Sequence, residues 1–181
     1  MIRVTSGIVK NKKLEIPEIL SIRVVQDIVK LALFSIIGDK INDADCLDLF
    51  AGSGNLGIEA LSRGAKWCDF VDENYLAKET IEKNLFTCGF TDRAEVFLKD
   101  ALKYVTKTQK NYDIVFLDPF YENISHRFLM KNIGVILKAN GVIAFTHGQN
   151  LDMSKLIEGT NLVIETQRKF GASVLTILKA N

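Results

Sequence analysis

From about Ala44 onward this 181-residue chain alternates short apolar runs with segments of helix length, and that alternation constrains the fold more than any other feature. A strand buried on both faces needs a continuous apolar run, and a parallel neighbour needs a long crossover to reach it. The candidate strands are Cys46–Phe50, Trp67–Asp72, Glu95–Leu98, Asp113–Leu117 and Gly141–Thr146. Between the second and third, Leu76, Ile81, Leu85 and Cys88 make a helical stripe that Gly89 closes. The tail differs: Leu162–Glu165 and Ser173–Leu178, joined through Phe170-Gly171-Ala172, read as two strands of an antiparallel ending. The expectation is a Rossmann-like α/β fold with a mostly parallel seven-stranded sheet and an antiparallel C-terminal end.

Ahead of this unit, Ile2-Arg3-Val4 and Leu14-Glu15-Ile16 flank the turn-like Val9-Lys10-Asn11-Lys12-Lys13 and read as a hairpin. Val25, Ile28, Val29, Ala32, Leu33, Ile36 and Ile37 then mark one face of a helix, with Gly38 placed to end it. Residues 1–40 are thus an N-terminal hairpin-plus-helix extension, and residues 41–181 carry the sheet. The net charge of +1 hides an asymmetry, because residues 1–40 hold seven basic side chains against four acidic ones. A basic footprint at this end suits a phosphate backbone; it suits a lysine-rich solvated face equally well.

The chemistry begins at Leu47-Asp48-Leu49-Phe50-Ala51-Gly52-Ser53-Gly54-Asn55-Leu56-Gly57, where a strand runs into a glycine turn that opens a helix. Taken literally, Gly52-x-Gly54-x-x-Gly57 is a dinucleotide fingerprint, so a nicotinamide-dependent oxidoreductase is one reading. Asp48 argues for another. A carboxylate at the strand end repels a pyrophosphate but attracts the ammonium and sulfonium of S-adenosylmethionine, which the glycines let the backbone approach closely. Phe50, Ala51, Gly52, Ser53 and Gly54 are therefore expected around that cofactor together with Asp48. Asp72, followed by Glu73, ends the second strand, where an acceptor-only group suits a ribose with two hydroxyls. Asp100, followed by Ala101, ends the third and could accept from the adenine amine or cap a helix.

After the fourth strand stands Asp118-Pro119-Phe120-Tyr121, at the carboxyl edge where open α/β sheets bind ligands. An exocyclic amine on a nucleic-acid base is a poor nucleophile, because its lone pair is delocalised into the ring. Drawing both hydrogens toward acceptors and aiming the lone pair overcomes this, and the Asp118 carboxylate and Pro119 carbonyl are the natural acceptors. Pro119 adds no N–H donor, and Tyr121, with Phe120, offers an aromatic surface for the base. An Asp-Pro turn alone would be unremarkable. Its place in the ordered set Asp48, Asp72, Asp100, Asp118, each after a successive strand, is what carries the reading.

These residues resemble the RsmD family of bacterial ribosomal-RNA methyltransferases, which methylate N2 of a guanine in 16S ribosomal RNA. The likeness spans nearly the whole chain and is closest in Asp48-Leu-Phe-Ala-Gly-Ser-Gly54, Leu56-Gly-Ile-Glu-Ala-Leu-Ser-Arg-Gly-Ala65, Phe116-Leu-Asp-Pro119 and Arg3…Gly7…Lys13-Leu14. It implies a class I methyltransferase fold, S-adenosylmethionine as cofactor, catalytic roles for Asp118, Pro119, Phe120 and Tyr121, and ribosomal RNA or the small subunit as partner. It also implies RNA contacts from Arg3, Lys10, Lys12, Lys13, Arg23 and Lys30. The family usually has Arg-Pro-Thr and Asp-Arg-Val-Arg before its first long helix, where this chain has Arg23-Val24-Val25-Gln26-Asp27-Ile28-Val29-Lys30, and Phe120 stands where a second proline is usual. An adenine-N6 DNA methyltransferase needs the same acceptor chemistry, and a catalytically decayed RNA-binding homologue is the other alternative.

Composition closes off several classes. Cys46, Cys68 and Cys88 are odd in number and sit in apolar segments, so buried thiols are expected rather than disulfides or a metal site. His126 and His147 are far apart in sequence and read as surface or supporting groups, and Trp67 as packing. No apolar run approaches the roughly 18 residues of a membrane span, and the N-terminus lacks a signal-peptide core. A monomeric cytoplasmic enzyme without metal is the expectation.

Overall fold

The computed structural model describes residues 2–19, 25–119 and 126–181. β1 (Ile2–Arg3) and β2 (Lys13–Leu14) pair antiparallel as the expected hairpin, with Ile2 opposite Leu14. α1 (Asp27–Ile37) follows and stops at Gly38. The rest runs β3 (Asp45–Leu49), α2 (Asn55–Ser62), β4 (Trp67–Asp72), α3 (Tyr75–Cys88), β5 (Ala94–Leu98), α4 (Ala101–Val105), β6 (Tyr112–Leu117), α5 (His126–Ile136), β7 (Leu137–Gly148), α6 (Met153–Ile157), β8 (Leu162–Phe170) and β9 (Ser173–Ala180).

The seven strands of the main sheet lie in the order β5-β4-β3-β6-β7-β9-β8. β3 to β7 run parallel, and β9 is antiparallel to both neighbours, so the sheet is mostly parallel with an antiparallel C-terminal end. Its two faces carry separate cores. One holds Cys46, Phe70 and Phe116 with Ile2, Leu33 and Phe34 of the N-terminal segment; the other holds Leu47, Val71 and Leu117 with residues of α4, α5 and α6. The hairpin and α1 therefore bury their apolar side in the first of these cores.

Two strands exceed the runs expected from sequence. β7 starts at Leu137 rather than Gly141, because Lys138-Ala139-Asn140-Gly141 looks like a turn, and Asn140 does take a positive φ of 66°, yet pairing with β6 continues through a register shift. β8 reaches Phe170 rather than Glu165; Gln167, Arg168 and Lys169 are exposed on an edge strand, and the stretch shows no apolar alternation.

Gly57 fixes how closely α2 lies on β4. A Cβ there would stand 2.3 Å from Phe70 Cε1 and 2.7 Å from Cys68 Sγ, both on residues with no solvent exposure. Gly57→Ala gains at most about 1 kcal/mol of helix propensity and incurs about 1–3 kcal/mol of overpacking. The clash wins, and thermal unfolding should show Tm lowered by a few degrees; an unchanged or raised Tm would mean that α2 can slide.

Candidate active site

The chain leaves β3 toward β4 on one side, while β6 lies on the other, so a crevice opens at the carboxyl ends of β3 and β6. The glycine loop forms one lip. Phe50 (φ 59°), Gly52 (φ 56°) and Gly54 (φ 75°) all take left-handed backbone conformations. For Phe50 this costs on the order of 1 kcal/mol or more, which the surrounding structure holds in place. Gly54 N–H donates to the Ala51 carbonyl at 2.7 Å, closing the turn, and Asn84 Nδ2 donates to the Ser53 carbonyl at 2.9 Å, pinning it to α3. Asp72 braces the loop from β4: its Oδ2 accepts from Gly52 N–H and its Oδ1 from Asn74 N–H, each at 2.9 Å.

Asp48 is only 2% exposed and lies beneath this loop, where its Oδ2 accepts from Gly57 N–H at 2.9 Å. Sequence reasoning has it facing the cofactor; what the structure shows is that it anchors the first turn of α2. Burial pushes its carboxyl well above the usual carboxylate range, the Gly57 N–H opposes that, and the charges of Asp118 and Asp72 add to it. Asp72 and Asp118 thus both act electrostatically on the buried Asp48 carboxyl, a repulsion that a cation bound nearby would relieve.

A stability prediction follows. With its pKa raised in the fold, Asp48 contributes fully below the unfolded value near 4, and that contribution is lost as pH rises through the folded value, so at neutral pH the group is a liability. Asp48→Asn keeps an acceptor for Gly57 N–H and removes the charge. Melting at pH 7 should show Tm raised by roughly 2–4 °C, the shift that about 1 kcal/mol gives in a chain of this size. A fall in Tm would contradict the electrostatic account.

The remaining expected site residues divide. Asp118 and Pro119 are half-buried at the end of β6. Asp100 caps α4, its Oδ1 accepting from Lys103 N–H at 2.8 Å, and Ala101 behind it is buried. Glu73 is exposed, whereas Ala51 and Ser53 are buried in the loop. Arg23, Phe120 and Tyr121 lie outside the described residues. Arg3, Lys10, Lys12 and Lys13 are exposed, with Arg3 Nε 3.4 Å from Asp27.

Lys30, expected among the RNA-contacting cations, is fully buried instead. Its Nζ donates to the Arg3 carbonyl at 2.6 Å and to Asn55 Oδ1 at 2.7 Å, and it pairs with Glu59 at 3.1 Å. Glu59 is equally buried and accepts from Thr5 N–H, Thr5 Oγ1, Ser6 N–H and Arg63 Nε. This knot ties the hairpin and α1 to the helix that follows the glycine loop. Sequence reasoning passed over Glu59, although an acid in the apolar stretch Leu56-Gly-Ile-Glu-Ala-Leu was the available signal: a helix buried all round can hold a charge only if it is paired. The structure also leaves Asn55 Nδ2 and Thr146 Oγ1 buried without a hydrogen-bond partner.

The other end of the sheet is a different kind of place. A cavity of about 420 Å³ there is lined by Trp67, Asp69, Lys110 and Tyr112 among others. Asp69 is fully buried and already accepts from Trp67, Tyr104, Tyr112 and Lys110, so it has a structural role. Among the described residues no group of His, Cys, Asp and Glu could hold a metal ion, and no helix is long and apolar enough to cross a membrane.

A family model described as conserved hypothetical protein 95 matches residues 2–179. YlbH of Bacillus subtilis (strain 168) is 35% identical over 182 residues, covering 98% of each chain. Ribosomal RNA small subunit methyltransferase D of Escherichia coli (strain K12) is 34% identical over 143 residues, 79% of this chain and 70% of its own length. Among solved structures, yhhF from Escherichia coli superposes with a TM-score of 0.86 at 25% identity, covering 99% of this chain and 97% of its own. HI0767 from Haemophilus influenzae gives 0.81 at 28% identity, with 99% and 98% covered.

Proposed function

This chain belongs to the RsmD family, the group described as conserved hypothetical protein 95, and on that premise we propose that it transfers a methyl group from S-adenosylmethionine to the exocyclic N2 amine of a guanine in small-subunit ribosomal RNA. One observation carries the reading: the charges of Asp72 and Asp118 bear on the buried Asp48 beneath a glycine loop whose Phe50, Gly52 and Gly54 take left-handed conformations. A pyrophosphate placed there would meet the Asp72 and Asp118 carboxylates with a third acid, Asp48, beneath the loop. A ligand bearing an ammonium and a sulfonium is drawn to them.

When bound, the cofactor supplies an activated methyl group on its sulfonium. The protein's own residues supply position and acceptance. Asp72, held by two backbone N–H groups, keeps lone pairs for the ribose hydroxyls, and Asp100, with its cap made by one oxygen, has the other for the adenine amine. On the acceptor side, the Asp118 carboxylate and the Pro119 carbonyl accept hydrogen bonds from the two N–H groups of the amine, which directs its lone pair across the crevice, while Phe120 and Tyr121 contribute the aromatic surface. Holding the amine in line is worth much of the acceleration. Residues 1–40 act as the RNA-contacting extension through Arg3, Lys10, Lys12, Lys13 and Arg23.

Calorimetry and a transfer assay test the reading together. S-adenosylhomocysteine should bind where NAD does not, and a labelled methyl group should enter unmodified small-subunit ribosomal RNA or the assembled subunit. NAD binding without S-adenosylhomocysteine binding would instead favour an oxidoreductase.

A further inference from the structure

We propose that Arg168, on the outermost strand of the sheet, is a phosphate contact for the RNA whose target base reaches Asp118; the proposal rests on the RNA-methylation reading above. The sheet register supplies the argument. Leu117 pairs with Phe145, which sets Asp118 beside Thr146; Thr146 pairs with Leu175, and Leu175 pairs with Arg168. Thr146, Leu175 and Arg168 form one lateral row from β7 to β8, and Asp118, the first residue after β6, continues it. They also share a face. Phe116, Ala144 and Leu175 belong to one core cluster, Asp118 and Thr146 lie two residues beyond the first two, and Phe170, two residues beyond Arg168, packs against that same cluster.

Three strand spacings of about 4.8 Å separate Asp118 from Arg168, about 14 Å in all, or roughly four stacked-nucleotide rises of 3.4 Å. A phosphate about four nucleotides along the strand from an extruded base would lie at that distance. Arg168 is exposed and takes part in none of the ion pairs among the described residues; the acid on its own strand, Glu165, pairs with Lys179 at 3.7 Å. Its forked guanidinium suits a phosphate better than an ammonium does. The N-terminal cations are placed differently. The hairpin turn docks at Ser62, at the end of α2 remote from the glycine loop, through Ile8 N–H to the Ser62 carbonyl and Val9 N–H to Ser62 Oγ, which carries Lys10 and Lys12 away from the crevice. Arg168 lies level with Asp118 itself.

A charge on an edge strand can also serve merely to prevent strand-to-strand association, and Lys169, on the opposite face, would do that equally well. The test compares Arg168→Gln with Lys169→Gln, using the full chain and small-subunit ribosomal RNA over a range of salt. Arg168→Gln should raise KM for RNA about 5- to 10-fold, leave kcat within about 2-fold and reduce the log–log salt slope of binding by about 0.7–0.9, with S-adenosylhomocysteine affinity unchanged. Lys169→Gln should match the wild type. An Arg168→Gln protein with wild-type KM and slope overturns the proposal, as do two variants that shift alike. Loss of the underlying reading is told apart because the wild type itself would then neither bind nor methylate RNA.

Discussion

Asp118→Ala is expected to slow methyl transfer to RNA by about 10²- to 10⁴-fold, the range in which a positioned proton acceptor contributes. The carboxylate is one of two acceptors available to the amine, and without it the lone pair stays in the base's π system. The other acceptor, the Pro119 carbonyl, cannot be removed by side-chain substitution, so a residual rate should remain. Because the loss arises in the transition state, kcat should fall and KM for RNA should change little. Asp118→Asn keeps one oxygen acceptor and should fall between the two. Asp118 also raises the Asp48 carboxyl, so the alanine variant should not weaken the fold, and S-adenosylhomocysteine should still bind. Steady-state kinetics with a melting curve for each variant check this. Undiminished kcat in Asp118→Ala would remove the aspartate from the chemistry.

The second large effect is structural. Glu59→Gln leaves the fully buried Lys30 ammonium without its counter-charge and takes one partner from Arg63. Breaking a buried pair from one side costs about 3–5 kcal/mol, out of roughly 5–15 kcal/mol for a whole domain. Tm should therefore fall by about 6–20 °C. Adding Lys30→Met removes the stranded charge and should recover a good part of the loss, a coupling that a double-mutant cycle reads directly.

The pH dependence gives an independent check. Burial would raise the Glu59 carboxyl, but hydrogen bonds from Thr5 and the charge of Lys30 outweigh it and hold the group below its ordinary value. A depressed carboxylate stabilises the fold above the unfolded value near 4.5, and that stabilisation is lost as pH falls through the folded value. Melting curves between pH 3 and 7 should show a shallower acid dependence in Glu59→Gln than in the wild type.

The parallel strands were legible because burial on both faces forces an uninterrupted apolar run, and Asp72, Asp100 and Asp118 stand at or just after the ends of such runs. Trp67–Asp72 lies where the sequence places it, to the residue. The same local logic misplaces groups whose environment is made by distant chain. Lys30 counts as one more N-terminal cation until the fold brings it to Glu59, 29 positions along, and Arg3, Thr5 and Asn55 close around the pair. Asp48 stands out in the sequence by its place before the glycines, but its depth beneath the loop depends on α2 folding back so that Gly57 N–H reaches it. Arg168 carries no local signal at all; only the register across four strands sets it level with Asp118.

The central claim is a methyl group placed on a guanine amine of small-subunit ribosomal RNA. It is tested most directly by incubating the protein with unmodified small subunits and an isotopically labelled methyl donor, then digesting the RNA to nucleosides for mass spectrometry. The account predicts label in N2-methylguanosine, absent with Asp118→Ala. Label in another nucleoside, or none at all from a protein that binds S-adenosylhomocysteine, would contradict it.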